Sequence, residues 1–205
     1  MHEPLLSRLL LSTAIAAALA GCGSSDDDPA PAPDPTPTPP VVSVGDVLVL
    51  TTSNRIVSFD RATPATIRST MPVTGLQAGE NLLGIDYRPA DGLLYGVGSS
   101  GRIYTITPET GAAAVKATLA ADATDTSAPF TALAGTDFGV DFNPAADRLR
   151  VVGNTGQSLR INVDTGATTT DGNINGGAPA TAVTGSAYTN SFAGTTTTTL
   201  YALDS

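Results

Sequence analysis

Two aspartates are the residues of this 205-residue chain whose placement most suggests chemistry. Asp86 lies in Gly84-Ile85-Asp86-Tyr87-Arg88-Pro89-Ala90, and Asp141 lies in Gly139-Val140-Asp141-Phe142-Asn143-Pro144-Ala145, 55 residues further on. Carboxylates at one position of repeated units could ring an axis and bind calcium or a cationic ligand. The structural alternative is an aspartate ahead of a proline turn that accepts backbone N–H bonds and fixes a corner. Repetition favours the structural alternative, because a structural need recurs in every unit while a binding site need not.

A second oxygen-rich stretch is Asp171-Gly172-Asn173-Ile174-Asn175-Gly176. Asp171, Asn173 and Asn175 alternate ahead of a glycine, as in the first half of a calcium loop. The twelfth position is Ala182, where an EF-hand needs a bidentate glutamate, and no helical pattern flanks it. That excludes an EF-hand and leaves a looser calcium loop or an ordinary turn. Glu80 and Glu109 could in principle act as a glycoside-hydrolysing pair. Glu109, however, sits in a turn whose other copy has Asp164, and nothing in the spacing pairs it with Glu80. Arg148, Arg150 and Arg160 bring three cations together. They could receive an acidic ligand, or pair with aspartates across strands.

The missing residue types narrow the chemistry. The only histidine is His2 and the only cysteine is Cys22. Beyond residue 22 the chain therefore holds no Ser-His-Asp or Cys-His nucleophile system and no zinc site built on His or Cys. Carboxylate chemistry, an oxygen-ligand metal site, or binding without catalysis remain.

The N-terminal region reads as export and anchoring. Residues 1–21 have a basic Arg8 followed by an apolar run from Leu9 to Leu19, too short to span a bilayer but suited to a signal peptide. Leu19-Ala20-Gly21-Cys22 resembles the bacterial lipobox. By that resemblance, cleavage precedes Cys22, which becomes the lipidated N-terminus and the anchor to the membrane. Gly23 follows, with no aspartate directly after the cysteine, resembling the pattern sorted to the outer membrane where one exists. Residues 22–40 form a Pro/Asp-rich tether. Proline alternating with Ala, Asp and Thr favours polyproline II, so the stretch from Pro29 to Pro40 reaches about 37 Å.

Residues 41–205 are long enough for one domain with a core. They carry 14 acidic against nine basic side chains, with no basic patch, which disfavours nucleic acid as a partner. No later apolar stretch is long enough to cross a membrane as a helix.

The elements that must position these residues repeat with the motif. Eleven of the 28 positions from Gly84 to Gly111 are identical 55 residues later, enough to fix the register of a structural repeat. Each unit reads as short strands between turns: Leu82 to Tyr87, Leu93 to Val97, Arg102 to Thr107 and Ala112 to Leu119. In the first strand Ile85 and Tyr87 share one face and Asp86 takes the other. The second copy gives Phe138 to Phe142, Leu149 to Val152 and Leu159 to Val163. Partial copies flank these: Val47 to Leu50 with Arg55 to Asp60, and Ala187 to Asn190 with Leu200 to Asp204. The expected fold is all-β, with β-propeller-like antiparallel four-stranded blades. The chain stops inside a unit, which points to a C-terminally incomplete domain.

Asn54-Arg55-Ile56-Val57-Ser58-Phe59-Asp60, the two Gly-x-Asp-aromatic segments, and Gly185-Ser186-Ala187-Tyr188-Thr189-Asn190 resemble a bacterial family of unknown function, domain-of-unknown-function family 4394. The resemblance covers most of residues 45–204. It implies an exported β-rich fold whose members usually continue past the step where this chain ends. It brings no activity, substrate or catalytic residue. The resulting expectation is a lipid-anchored cell-envelope protein with a binding domain for an envelope protein or glycan. The alternative is a divalent-metal-dependent hydrolase or lyase working through carboxylates, with calcium as the candidate cofactor.

Overall fold

A computed structural model of the chain describes residues 42–174 and 182–205. Every regular element among them is a strand. The first sheet contains β1 (Val47–Leu50), β2 (Arg55–Phe59) and β3 (Ile67–Pro72) in that order. The second is the antiparallel run of β4 (Leu82–Tyr87), β5 (Leu94–Gly98), β6 (Arg102–Thr107) and β7 (Ala112–Thr118). The short β8 (Ala120–Ala121) leads into the third sheet, where β9 (Phe138–Asn143), β10 (Arg148–Gly153), β11 (Ser158–Ile161) and β12 (Ala167–Asp171) repeat the antiparallel run. β13 (Val183–Tyr188) and β14 (Leu200–Asp204) make the fourth sheet. We refer to these sheets as blades 1 to 4.

The register expected from the repeat holds. Asp86 pairs across the ladder with Tyr95, and Asp141 with Arg150, the same place in two blades. Two outer strands were not legible in the sequence. β3 (Ile-Arg-Ser-Thr-Met-Pro) and β12 (Ala-Thr-Thr-Thr-Asp) carry little apolar alternation, because both lie at the outside of their blades. β13 begins at Val183, earlier than Ala187, and pairs with β14 through a bulge between Val183 and Gly185. The alanines of β7 do not prevent a strand, since its partner β6 supplies the ladder and its own side chains are mostly exposed.

The core lies between blades rather than within a single sandwich. One cluster joins Tyr95, Val97 and Ile103 of blade 2 to Phe142, Leu149, Val151, Leu159 and Ile161 of blade 3. Another joins Ile56, Leu48 and Leu50 of blade 1 to Leu82, Leu94, Tyr104 and Ile106 of blade 2. β5 is therefore buried on both faces, with Leu94 turned to one cluster and Tyr95 and Val97 to the other. A strand buried on both faces reads as a continuous apolar run, as Leu-Tyr-Gly-Val does. The first strands of successive blades lie side by side, β4 against β9 and β9 against β13.

Candidate functional site: the inner-strand carboxylates

β4, β9 and β13 are the innermost strands of their blades, and each has one edge that no strand among the described residues pairs with. In blade 2 the Arg88 N–H donates to the Leu93 carbonyl, so by alternation the Tyr87 N–H points to the open edge. The equivalent donors are the N–H groups of Phe142 and Tyr188. An open edge leaves such donors without partners unless something covers them.

The motif aspartates cover two of them. The Phe142 N–H donates to Asp86 Oδ2 at 2.8 Å, and the Tyr188 N–H donates to Asp141 Oδ2 at 2.6 Å. Each aspartate thus holds the first strand of the following blade. The motif glycines serve the same joint. A Cβ on Gly84 would stand 2.5 Å from Val140 Cγ2, and one on Gly139 would stand 2.5 Å from Ser186 Oγ and 2.6 Å from the Ser186 backbone nitrogen. Only glycine allows the strands this close. The Asp86 face of β4 is therefore not the polar face of a half-buried strand. It is packed against blade 3, while Ile85 turns to the blade 1 cluster.

The Asp86 and Asp141 carboxyls are near enough for the charge of Asp86 to act on Asp141. Burial pushes both up from the ordinary range, and the neighbouring Asp86 charge adds to this for Asp141, which is pushed up to about 7. Two neighbouring half-buried carboxyls do not both ionise cheaply, which favours the protonated form of Asp141 towards neutral pH. Blade 4 carries Ala187 at this position, so the series of carboxyls ends there.

The outer rim has a second repeated joint. Thr74, on the segment after β3, makes a parallel bridge with Ala112 at the start of β7. One unit later β8 pairs in parallel with the start of β12, Ala120 with Ala167. A Cβ on Gly111 would run into the Pro72 carbonyl, and one on Gly166 into the Thr118 carbonyl. Both glycines also have positive φ, 72° and 79°. The repeated Thr-Gly is thus the place where the connecting segment crosses to the next blade.

The remaining candidates separate. Asp171 ends β12, and its carboxylate is held by Arg150 and Arg160, the latter at 2.9 Å. Two of the three clustered arginines therefore converge on one aspartate of their own blade. Arg148 donates to the Asp147 carbonyl at 2.8 Å instead. Asn173 is exposed, and Asn175 lies outside the described residues. Asp171 is not brought to Asp86 or Asp141. Glu80 is buried just before β4, accepting from the Tyr104 hydroxyl and from the Ser100 hydroxyl and N–H. Burial raises its pKa, but these donors outweigh that and hold it below the ordinary range. Glu109 follows the far end of β6, about 20 Å away at 3.3 Å per strand residue, so the two glutamates do not form a pair.

Among the described residues the most extensive ion-pair cluster centres on Arg88, which no sequence motif marks. Arg88 is 11 % exposed and donates to Asp147 through Nε at 2.8 Å and Nη2 at 2.6 Å, and to Asp164 at 3.0 Å. Lys116 joins at Asp164, 2.9 Å. Beneath the guanidinium, Tyr95 meets Phe142 edge to face, ring centroids 5.3 Å apart. The signal was a charge difference between copies: Arg88 against Asn143, Gly92 against Asp147, Lys116 against Asp171.

A family model, "Domain of unknown function (DUF4394)", matches residues 55–205. No curated protein matches the chain.

Proposed function

The chain belongs to the DUF4394 family, and on that premise we propose that it is a lipid-anchored cell-envelope protein whose propeller-like domain binds an envelope protein or glycan. The observation that carries this reading is the sole cysteine at Leu19-Ala20-Gly21-Cys22, followed by a proline-rich spacer. A lipid at Cys22 holds the chain at the membrane, and the spacer stands residues 41–205 off the surface. Where an outer membrane exists, Gly23 directs the protein to it. The inner carboxyls accept from the backbone of the next strand, which favours a structural over a catalytic role for them. Cys22→Ala is expected to move the protein from the membrane fraction to the soluble fraction. Retention in the membrane fraction would contradict the anchor.

A second reading rests on the carboxyl pair itself. Perturbed carboxyls also mark catalytic and metal sites, and a divalent cation could replace the proton held there. A calcium-dependent rise in thermal stability that disappears in Asp86→Ala or Asp141→Ala would support a metal-dependent hydrolase or lyase. Absence of any metal effect would sink it.

A further inference from the structure

The repeat fills one kind of slot twice and leaves a third example open. β1 occupies in blade 1 the place that β5 and β10 occupy in blades 2 and 3, with Leu48 corresponding to Tyr95 and Arg150. β5 and β10 each pair on their inner side with β4 or β9. Among the described residues no strand pairs with the inner side of β1. The Thr51 N–H donates to the Arg55 carbonyl, so by alternation Leu48 and Leu50 direct their N–H and C=O groups to that open side.

The face of blade 2 beside this edge is uncovered at the matching place. Ile85 packs against the same core cluster as Leu48 and Leu50, and Tyr87 shares its side of β4. Phe142, the equivalent of Tyr87, is fully buried against blade 2, whereas Tyr87 is 43 % exposed and Leu93 51 %. With Pro108 and Glu109 they line a cavity of about 270 Å³. The Phe142 and Tyr188 N–H groups are held by the aspartate of a preceding strand. Among the described residues no preceding strand supplies one to Tyr87.

We propose that the open edge of β1 and the Tyr87 side of β4 form a docking slot for one extended polypeptide strand of the Gly-x-Asp-aromatic type, which adds to blade 1 as its innermost strand. The occupant follows from continuity with the two filled slots. Its backbone pairs with Leu48 and Leu50, as in strand addition at a sheet edge. Its glycine makes room for Ile85, as Gly84 does for Val140 and Gly139 for Ser186. Its aspartate accepts the Tyr87 N–H, and its side chains cover Tyr87. The slot is independent of membrane anchoring, so failure of the Cys22 test leaves it standing.

The test uses the full chain in detergent and a labelled synthetic peptide of residues 136–146, which contains the motif. Saturable one-to-one binding is expected, with slowed amide exchange at Leu48 and Leu50. Asp141→Ala within the peptide should weaken binding about tenfold, the scale of one charge-assisted hydrogen bond. Methylating the peptide amides that face β1 should abolish it without touching the protein's own fold. The proposal is overturned if the peptide does not bind, if a scrambled peptide binds as well, or if protection appears away from β1. Sedimentation showing two copies of the chain covering the β1 edge with each other would also overturn it.

Discussion

The joint between blades 2 and 3 and the joint between blades 3 and 4 share a backbone plan but differ in side chains. Both have a glycine that admits the neighbouring strand and an aspartate that takes its N–H. At the first joint the aromatic residue is buried on Tyr95, and Arg88 crosses to Asp147 and Asp164 of the next blade. At the second, Tyr95 is replaced by Arg150, which pairs with Asp171 of its own blade and, among the described residues, reaches blade 4 through the Tyr188 hydroxyl at 3.2 Å. The lesson is that the identical residues of the repeat set strand spacing, while the differing ones set how firmly each pair of blades is held.

The largest effect should come from the aromatic position. Phe142→Ala empties a fully buried site and should cost about 4 kcal/mol in chemical unfolding. Tyr188→Ala, at a half-buried site, should cost clearly less. Equal losses would erase the distinction between the joints.

The glycines come next. Gly139→Ala meets backbone atoms of Gly185 and Ser186, which cannot move independently, and should cost about 3 kcal/mol. For Gly84→Ala the nearest atoms all belong to the Val140 side chain, so pairing it with Val140→Ala should recover most of the loss. No such partner should rescue Gly139→Ala.

Arg88→Ala removes the cross-blade ion pairs. Asp147 and Asp164 are 38 % and 47 % exposed, so solvent screens them and the cost should be about 1–2 kcal/mol. A double-mutant cycle between Arg88 and Asp147 should show coupling that falls with salt.

The last effect is one of pH, and its sign differs between the two sets of carboxyls. The Arg88 hydrogen bonds hold Asp147 below the ordinary range, and Lys116 with Arg88 does the same for Asp164. Their contribution is present above about pH 4 and is lost as pH falls through their lowered values. Asp141 behaves oppositely. Its folded form keeps a proton that the unfolded chain releases, so stability falls as pH rises from about 4 to about 7. In thermal unfolding, Asp141→Asn should flatten that decline, because its amide mimics the protonated acid. An unchanged slope would show that the decline arises elsewhere.

Much of the fold was legible because a repeat makes each assignment twice. β1, β4, β6 and β14 fall at the expected residues, since apolar alternation and turn glycines agree there. β3 and β12 were hidden because outer strands bury few side chains. Of the candidate site, the sequence showed that Asp86 and Asp141 were equivalent and that backbone N–H bonding was the simpler role. It could not show that the N–H belongs to the next blade, because that contact joins residues 56 and 47 positions apart. The partners of Arg88 were hidden for a related reason, since they lie in two turns of another blade, and only the charge differences between the copies hinted at them.

Each motif aspartate holds the following inner strand by one backbone hydrogen bond. Residue-resolved amide exchange tests it most directly. Asp86→Ala should speed exchange at the Phe142 amide while leaving Tyr188 protected, and Asp141→Ala should do the reverse. Unchanged protection at both amides would show that the aspartates do not hold these strands.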